Sequence, residues 1–358
     1  MSLSVGVVGL PNVGKSTLFN ALTNRSVPAE NYPFCTIDPS VGVVPVPDER
    51  LDKLSEFSSS KKVTPAVFEF VDIAGLIKGA AEGEGLGNAF LENIRSVDAL
   101  AHVVRVFDDS DIHHVEGSIA PVRDIETITL ELVASDYNAV QKRLDKLAGE
   151  VRTGDKEAIA EQEVLERAAE ILDDGRMINE DDSFTDKDFE IFRLLGLLST
   201  KPMLFVFNTK TGDKPEALVD AVDYANEKNA HYVVLDAALE FEMSEMEEGE
   251  KADFRGEETH GLYDLITAGY KLLDLITFLT TGEKETRGWP VNRGSTAPEA
   301  AGRIHSDFEE KFIRAEVIGW EDLLEAGSRR AARENGLIRT EGSEYVVEDG
   351  DVIEFLHG

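Results

Sequence analysis

Apolar residues along this 358-residue chain follow two periods. Short apolar runs at Leu3–Val8, Val67–Val71, Leu100–Phe107, Pro202–Phe207 and His231–Leu235 read as strands buried on both faces. They alternate with helical stretches through about residue 120 and again after Lys201, which predicts an α/β fold with a mainly parallel sheet. From Glu126 the period turns helical: Leu130, Val133, Tyr137, Val140, Leu144, Leu147 and Val151 alternate three- and four-residue steps, a seam at coiled-coil spacing. Gly154 can turn the chain, and a second helix presents Val164, Ala168 and Ile171. This predicts an inserted antiparallel helical hairpin; the competing reading is an amphipathic helix laid on the sheet. Around Asp274 the pattern shifts again. Leu275–Thr280 and Glu285–Val291 suit paired strands, Ala297–Phe308 a helix with proline in its first turn, and Tyr345–Val347 with Val352–Phe355 a closing hairpin. Trp289, Phe308, Phe312 and Trp320 read as the core of this last unit. The predicted division is residues 1–125 with 200–273, an insertion at 126–199, and a terminal unit at 274–358.

The densest chemistry follows the first strand. Gly9-Leu10-Pro11-Asn12-Val13-Gly14-Lys15-Ser16 matches the phosphate-loop pattern, and it lies between a strand and a helix, where that pattern has meaning. Loop and helix N-terminal N–H groups receive phosphate oxygens, Lys15 brings positive charge to the β and γ phosphates, and the Ser16 hydroxyl is a Mg²⁺ ligand. Downstream, the Val67–Val71 strand ends in Asp72-Ile73-Ala74-Gly75. Asp72 is expected to hold Mg²⁺ through water and Gly75 to offer its N–H to the γ phosphate. The glycine-rich run from Leu76 to Asn88 suits a segment ordered by that phosphate. Between the motifs, Thr36 is the candidate to lend its hydroxyl and backbone to Mg²⁺ and the γ phosphate.

A base-reading element is expected where the later strand ends, at Asn208-Thr209-Lys210-Thr211. Guanine is usually read there by a carboxylate at the fourth position; Thr211 cannot accept from two N–H groups as a carboxylate does. Ala237 and Ala238, after the next strand, form a second wall for the base. His102 and the pair His113-His114 lack metal-ligand spacing, and Cys35 lacks a histidine partner arrangement.

Charge changes the picture of partners. With 70 acidic and 36 basic residues the net charge is −34, which argues against generic DNA binding. The acids are spread along the chain, as on a surface adapted to high salt; a patch for a basic partner is the rival reading. No apolar run approaches the roughly 18 residues of a membrane span. The chain enters its first strand at once, so a cytoplasmic protein is expected, and a single cysteine fits a reducing compartment.

In their order, Gly9–Leu22, Asn31–Pro39, Asp72–Asn88, Gly117–Glu126, Arg287–Phe312 and the closing Asp349-Gly350-Asp351 resemble the YchF and Obg-like ATPase family, over essentially the whole chain. The resemblance implies a P-loop G domain, a coiled-coil insertion and a C-terminal β-grasp domain of the TGS type. It implies ATP hydrolysis, preferred over GTP, and association with ribosomal particles in translation or stress. The family's phosphate-binding positions fall on Asn12, Val13, Gly14, Lys15, Ser16 and Thr17, and its Mg²⁺ ligands on Ser16 and Thr36. Leu76 stands where many GTPases carry a water-orienting glutamine, so K⁺ near Asn12, backbone groups or a partner must assist. The family's usual Asn-x-x-Glu is here Asn208-Thr209-Lys210-Thr211. RNA contact is expected through the terminal domain, where Lys311, Arg314, Arg329, Arg330 and Arg333 are the few basic positions. The alternatives are a GTPase of ribosome assembly or translation, and a nucleotide-gated scaffold with negligible turnover.

Overall fold

The computed structural model describes residues 3–26, 38, 40–73, 86–108, 118–212, 215–246 and 261–358. In chain order the N-terminal part contributes β1 (Ser4–Val8), α1 (Lys15–Asn24), β2 (Val41–Pro45), α2 (Glu49–Ser58), β3 (Val63–Thr64), β4 (Val67–Asp72), α3 (Leu86–Arg95) and β5 (Ala99–Arg105). The helical insertion is α4 (Pro121–Arg152), α5 (Lys156–Asp173) and α6 (Asp186–Leu195). Then come β6 (Met203–Asn208), α7 (Glu216–Glu227), β7 (His231–Leu235), α8 (Ala237–Glu245) and α9 (Gly261–Leu272). The C-terminal part holds β8 (Leu275–Thr281), β9 (Thr286–Asn292), α10 (Ala297–Ile304), α11 (Ser306–Glu310), β10 (Phe312–Gly319), α12 (Trp320–Glu325), α13 (Arg329–Glu334), β11 (Arg339–Glu341) and β12 (Asp351–His357).

Two six-stranded sheets organise the described residues. The first runs β2-β4-β1-β5-β6-β7 and is parallel except for β2, which is antiparallel to β4. Every residue of β1 and β5 is buried, as continuous apolar runs require in a sheet covered on both faces. Its register sets Val7 beside Asp72 and Val8 beside His102, so β1 and β4 end at one rim while β5 runs on to Arg105.

The insertion is a helical hairpin. Pro121 opens α4, where its missing N–H costs nothing. Gly154, at φ +82°, makes the turn, and Asp155 caps α5 by accepting from Glu157 and Ala158 N–H. Val133, Val140 and Leu147 are buried in the seam, with Tyr137, Leu144 and Val151 packed against it. Leu130, read as a seam position, is instead 54% exposed; Ile128 and Leu132 take the inward face. Buried Asp136 ties α4 to the chain before β6, its carboxylate accepting from Leu198 N–H (2.9 Å), Ser199 N–H and Ser199 hydroxyl (both 2.6 Å).

The second sheet runs β11-β10-β12-β8-β9-β3, with α10 packed against β9 and β10 in the manner of a β-grasp unit. β8 and β9 pair antiparallel as expected. The expected terminal hairpin does not form: β12 pairs antiparallel with β10 and parallel with β8, while Val346 makes one isolated bridge to Thr296. Gly350, at φ +90°, turns the chain into β12, and buried Asp351 accepts from Glu348 N–H and Tyr345 hydroxyl, holding the turn away from a hairpin. The expected helix Ala297–Phe308 breaks at His305, whose extended backbone (φ −163°, ψ 140°) ends α10 and whose Nδ1 caps α11. Trp289 lies in the core of this unit with Phe312 packed half-buried on it; Trp320 packs half-buried on a second core that includes Leu279 and Val352, and Phe308 stacks on His357 at 4.0 Å.

The sixth strand, β3, comes from the N-terminal part of the chain. Val63 pairs with Thr286 and Thr64 with Arg287. Leu51 and Leu54 of α2 share a core with Leu279, Ile318, Leu323 and Val352. Arg50 reaches Asp349 at 2.7 Å, and Asp349 also accepts from Thr277 N–H.

Candidate nucleotide site

The loop from Gly9 to Gly14 joins buried β1 to α1, and its shape depends on residues that tolerate left-handed backbone. Gly9 has φ +154°, Asn12 φ +63° and Gly14 φ +101°. A Cβ on Gly9 would stand 2.5 Å from the Val103 carbonyl, and one on Gly14 2.3 Å from Asn208 Nδ2, so both positions need glycine. Leu10 and Val13 are buried and pin the loop to the sheet.

Lys15 is the first residue of α1 and is only 8% exposed. Its Nζ donates to the Leu10 carbonyl at 2.8 Å, so the ammonium curls back over the loop. Burial pushes its pKa down, and the charge of Asp72 opposes that. Asp72 shows the reverse: burial pushes its pKa up, and Lys15 pulls it back. Each is an incompletely compensated charge at the rim where phosphates are expected. Ser16 is exposed and Thr17 half-buried on the first turn of the same helix.

Asn208, at the end of β6, is buried and serves as a brace. Its Nδ2 donates to the Val13 carbonyl (2.9 Å) and its Oδ1 accepts from Ala237 N–H (3.0 Å), joining loop, sheet and α8. Asp236 was not singled out from sequence, although an acid directly before Ala-Ala-Leu is a helix-cap signal. Its Oδ1 accepts from Ala238 and Leu239 N–H (3.1 and 3.0 Å), and its Oδ2 accepts from Thr211 N–H at 2.8 Å. The N–H groups of Ala237 and Ala238 are therefore both engaged. The Phe107 ring meets the Arg105 guanidinium at 4.6 Å and Lys210 Nζ at 5.7 Å from its centroid.

His102 lies mid-way along β5 beside Val8, the last residue of β1; it is 1% exposed, with neither ring nitrogen hydrogen-bonded. Burial first, and then the charge of Lys15, push its pKa down to about 3, so it is neutral. Thr36, Gly75, Cys35, Leu76, His113 and His114 lie outside the described residues.

The donor set suits Mg²⁺. A hydroxyl and a carboxylate are hard oxygen ligands, and Mg²⁺ in such sites takes one or two protein oxygens, completing its shell with phosphates and water. Asp72, whose ionised form is disfavoured by burial and favoured by the charge of Lys15, would be stabilised further by a cation and fits that role. Among the described residues no group of three or more His, Cys, Asp and Glu forms an all-protein metal cage, and no helix is long and apolar enough to cross a membrane.

Comparison with known proteins extends over both halves. A family model described as a 50S ribosome-binding GTPase matches residues 4–136. One for the C-terminal domain of YchF GTPases, described as a protein of unknown function, matches residues 275–357. The chain is 48% identical to the ribosome-binding ATPase YchF of Bacillus subtilis, over 99% of each chain. It is 44% identical to that of Escherichia coli O157:H7, again over 99% of each. The solved Schizosaccharomyces pombe YchF GTPase superposes with a TM-score of 0.87 at 38% identity, covering 99% of this chain and 98% of that one. A GTP-binding protein of Pyrococcus horikoshii, at 21% identity and a TM-score of 0.63, shares the fold.

Proposed function

This chain belongs to the YchF family, and from that premise we propose that it is a Mg²⁺-dependent ATPase of the cytoplasm whose nucleotide state governs its association with the ribosome. The observation that carries this reading is the Lys15 cradle: a buried ammonium held over the loop by the Leu10 carbonyl and coupled to the Asp72 carboxylate, whose ionised form burial disfavours.

Water attacks the γ phosphate in line. Lys15 exchanges its Leu10 contact for phosphate oxygens and, with the N–H groups of Asn12 to Thr17, stabilises the charge that develops. Ser16, Thr36 and, through water, Asp72 would hold Mg²⁺, which neutralises phosphate charge when bound. Gly75 offers its N–H to the γ phosphate. Asn208 keeps the loop in place, and the base rests beside Asn208, Ala237 and Ala238. ATP is favoured over GTP because Thr211 brings no carboxylate to guanine, and Asp236 spends its own on the loop and helix. K⁺ beside Asn12 would assist where Leu76 cannot. Residues 126–199 and 274–358 carry the ribosome contact, the latter through RNA.

The test is turnover of ATP and GTP in potassium and in sodium, with and without purified ribosomes, by the parent and by Lys15→Ala. ATP is expected to be the faster substrate, potassium and ribosomes to raise the rate, and Lys15→Ala to lose at least about a hundredfold. Undiminished hydrolysis by Lys15→Ala overturns the assignment.

A further inference from the structure

The helical insertion carries a feature at odds with the acidic chain around it. Between α4 and α6 runs a groove of about 440 Å³, floored by Ala139, Ile191, Leu194 and Leu195 and edged by Lys142, Arg143 and Lys146. Leu194 is 89% exposed, the most exposed of the large apolar side chains described. Along α6, Lys187, Ile191, Leu194 and Leu195 fall at i, i+4, i+7 and i+8, one continuous stripe.

The charges at the edge are unevenly spent. Arg143 holds Glu161 with two hydrogen bonds (2.6 and 2.7 Å), and Glu161 is the sole acid lining the groove. Lys142 and Lys146, exposed one turn apart, have no ion-pair partner among the described residues. In contrast, Arg329, Arg330 and Arg333, the other tight basic cluster, are each paired with glutamates. A chain of net charge −34 thus presents two unspent lysines beside an uncovered aliphatic floor.

We propose that this groove docks an acidic amphipathic α-helix of a partner protein, its leucine-type face on Ile191, Leu194 and Leu195 and its carboxylates on Lys142 and Lys146. The charge complementarity selects an acidic partner, and the floor selects a protein over RNA. Phosphates would use the lysines but leave the floor uncovered, and unpaired bases stack on aromatic rings, of which the groove has none. A helix laid in a groove covers both at once. The inference is independent of the nucleotide reading, because neither side of the groove touches the phosphate loop.

The test uses the full chain without nucleotide and a fluorescein-labelled peptide of about 18 residues, leucines on one helical face and glutamates on the other. Its anisotropy is titrated with the parent, Leu194→Asp and the double variant Lys142→Glu/Lys146→Glu. The parent is expected to bind, each variant to bind at least about tenfold more weakly, and a scrambled peptide of the same composition to behave like the variants. All three altered positions are exposed, so unchanged thermal melts accompany the expected result. Equal binding of the peptide by parent and variants overturns the proposal. So does a single-stranded RNA oligomer that binds the parent, is lost in the lysine variant and is kept by Leu194→Asp. Self-association of the parent that Leu194→Asp abolishes, seen by sedimentation, overturns it too, since the groove would then seat a second copy.

Discussion

At the phosphate end of the nucleotide cradle the backbone has no slack: Gly9 and Gly14 sit where a Cβ would collide, and Asn208 bolts the loop to α8. At the base end Thr209 N–H still donates to the Leu235 carbonyl, but Thr211, itself exposed, is held through its N–H by the half-buried Asp236 carboxylate. Phosphate recognition needs only N–H groups and a cation, which any rigid loop of this shape supplies. Base recognition needs a particular side chain, and Thr211 offers a neutral hydroxyl where a carboxylate would read guanine. The rigid end is general and the loose end is specific.

The largest expected break of that contrast is Gly14→Ala. With φ at +101° and Asn208 in the way, the loop must deform at a cost of about 1–3 kcal/mol, and nucleotide affinity by calorimetry should fall at least about tenfold for ATP and GTP alike. A loss confined to one nucleotide would show that the loop is not indifferent to the base.

Next is Asn208→Ala, which strands the Val13 carbonyl and Ala237 N–H in a buried site. Unfolding free energy should drop by about 1–3 kcal/mol, measured in urea without nucleotide. Unchanged stability would mean that the brace is dispensable.

His102 offers a pH test of the rigid end. The unfolded histidine takes up a proton near 6.5, while the folded one does so only near 3. Stability therefore falls as pH drops through that window, by up to about 1.4 kcal/mol per pH unit from this residue. His102→Gln should flatten the slope between about pH 6 and 4, read by thermal melts across that range.

The smallest effects belong to the loose end. Asp236→Ala removes a helix cap worth about 1 kcal/mol and frees Thr211 N–H. KM for ATP is expected to rise severalfold while kcat holds. Thr211→Asp should shift the ATP-to-GTP ratio of kcat/KM toward GTP, and an unmoved ratio would place base selection elsewhere.

The phosphate loop was legible because all its parts are contiguous: strand, glycines, lysine and helix follow one another between Ser4 and Asn24. The helical hairpin was legible for a similar reason, since its period repeats locally. Leu130 misled because a seven-residue pattern fixes a face only to within one helical position. The partner of β12 was not legible, because Val352 and Ile353 suit any strand and their neighbours are fixed by residues far along the chain. The cap that Asp236 gives its helix is legible locally, but its second bond, to Thr211 25 positions away, is not.

One consequence concerns how this chain can be cut. The short strand β3 and the apolar face of α2 complete a sheet and a core whose other members lie beyond residue 274. A fragment beginning there would bare the outer edge of β9 and leave Leu279, Ile318 and Val352 without their cover. Inheritance of the terminal unit as a detachable module is thereby discouraged: a gene fusion that borrowed it alone would borrow an unfinished sheet, whereas one that carried residues 49–64 along, spliced ahead of β8, would carry its missing edge.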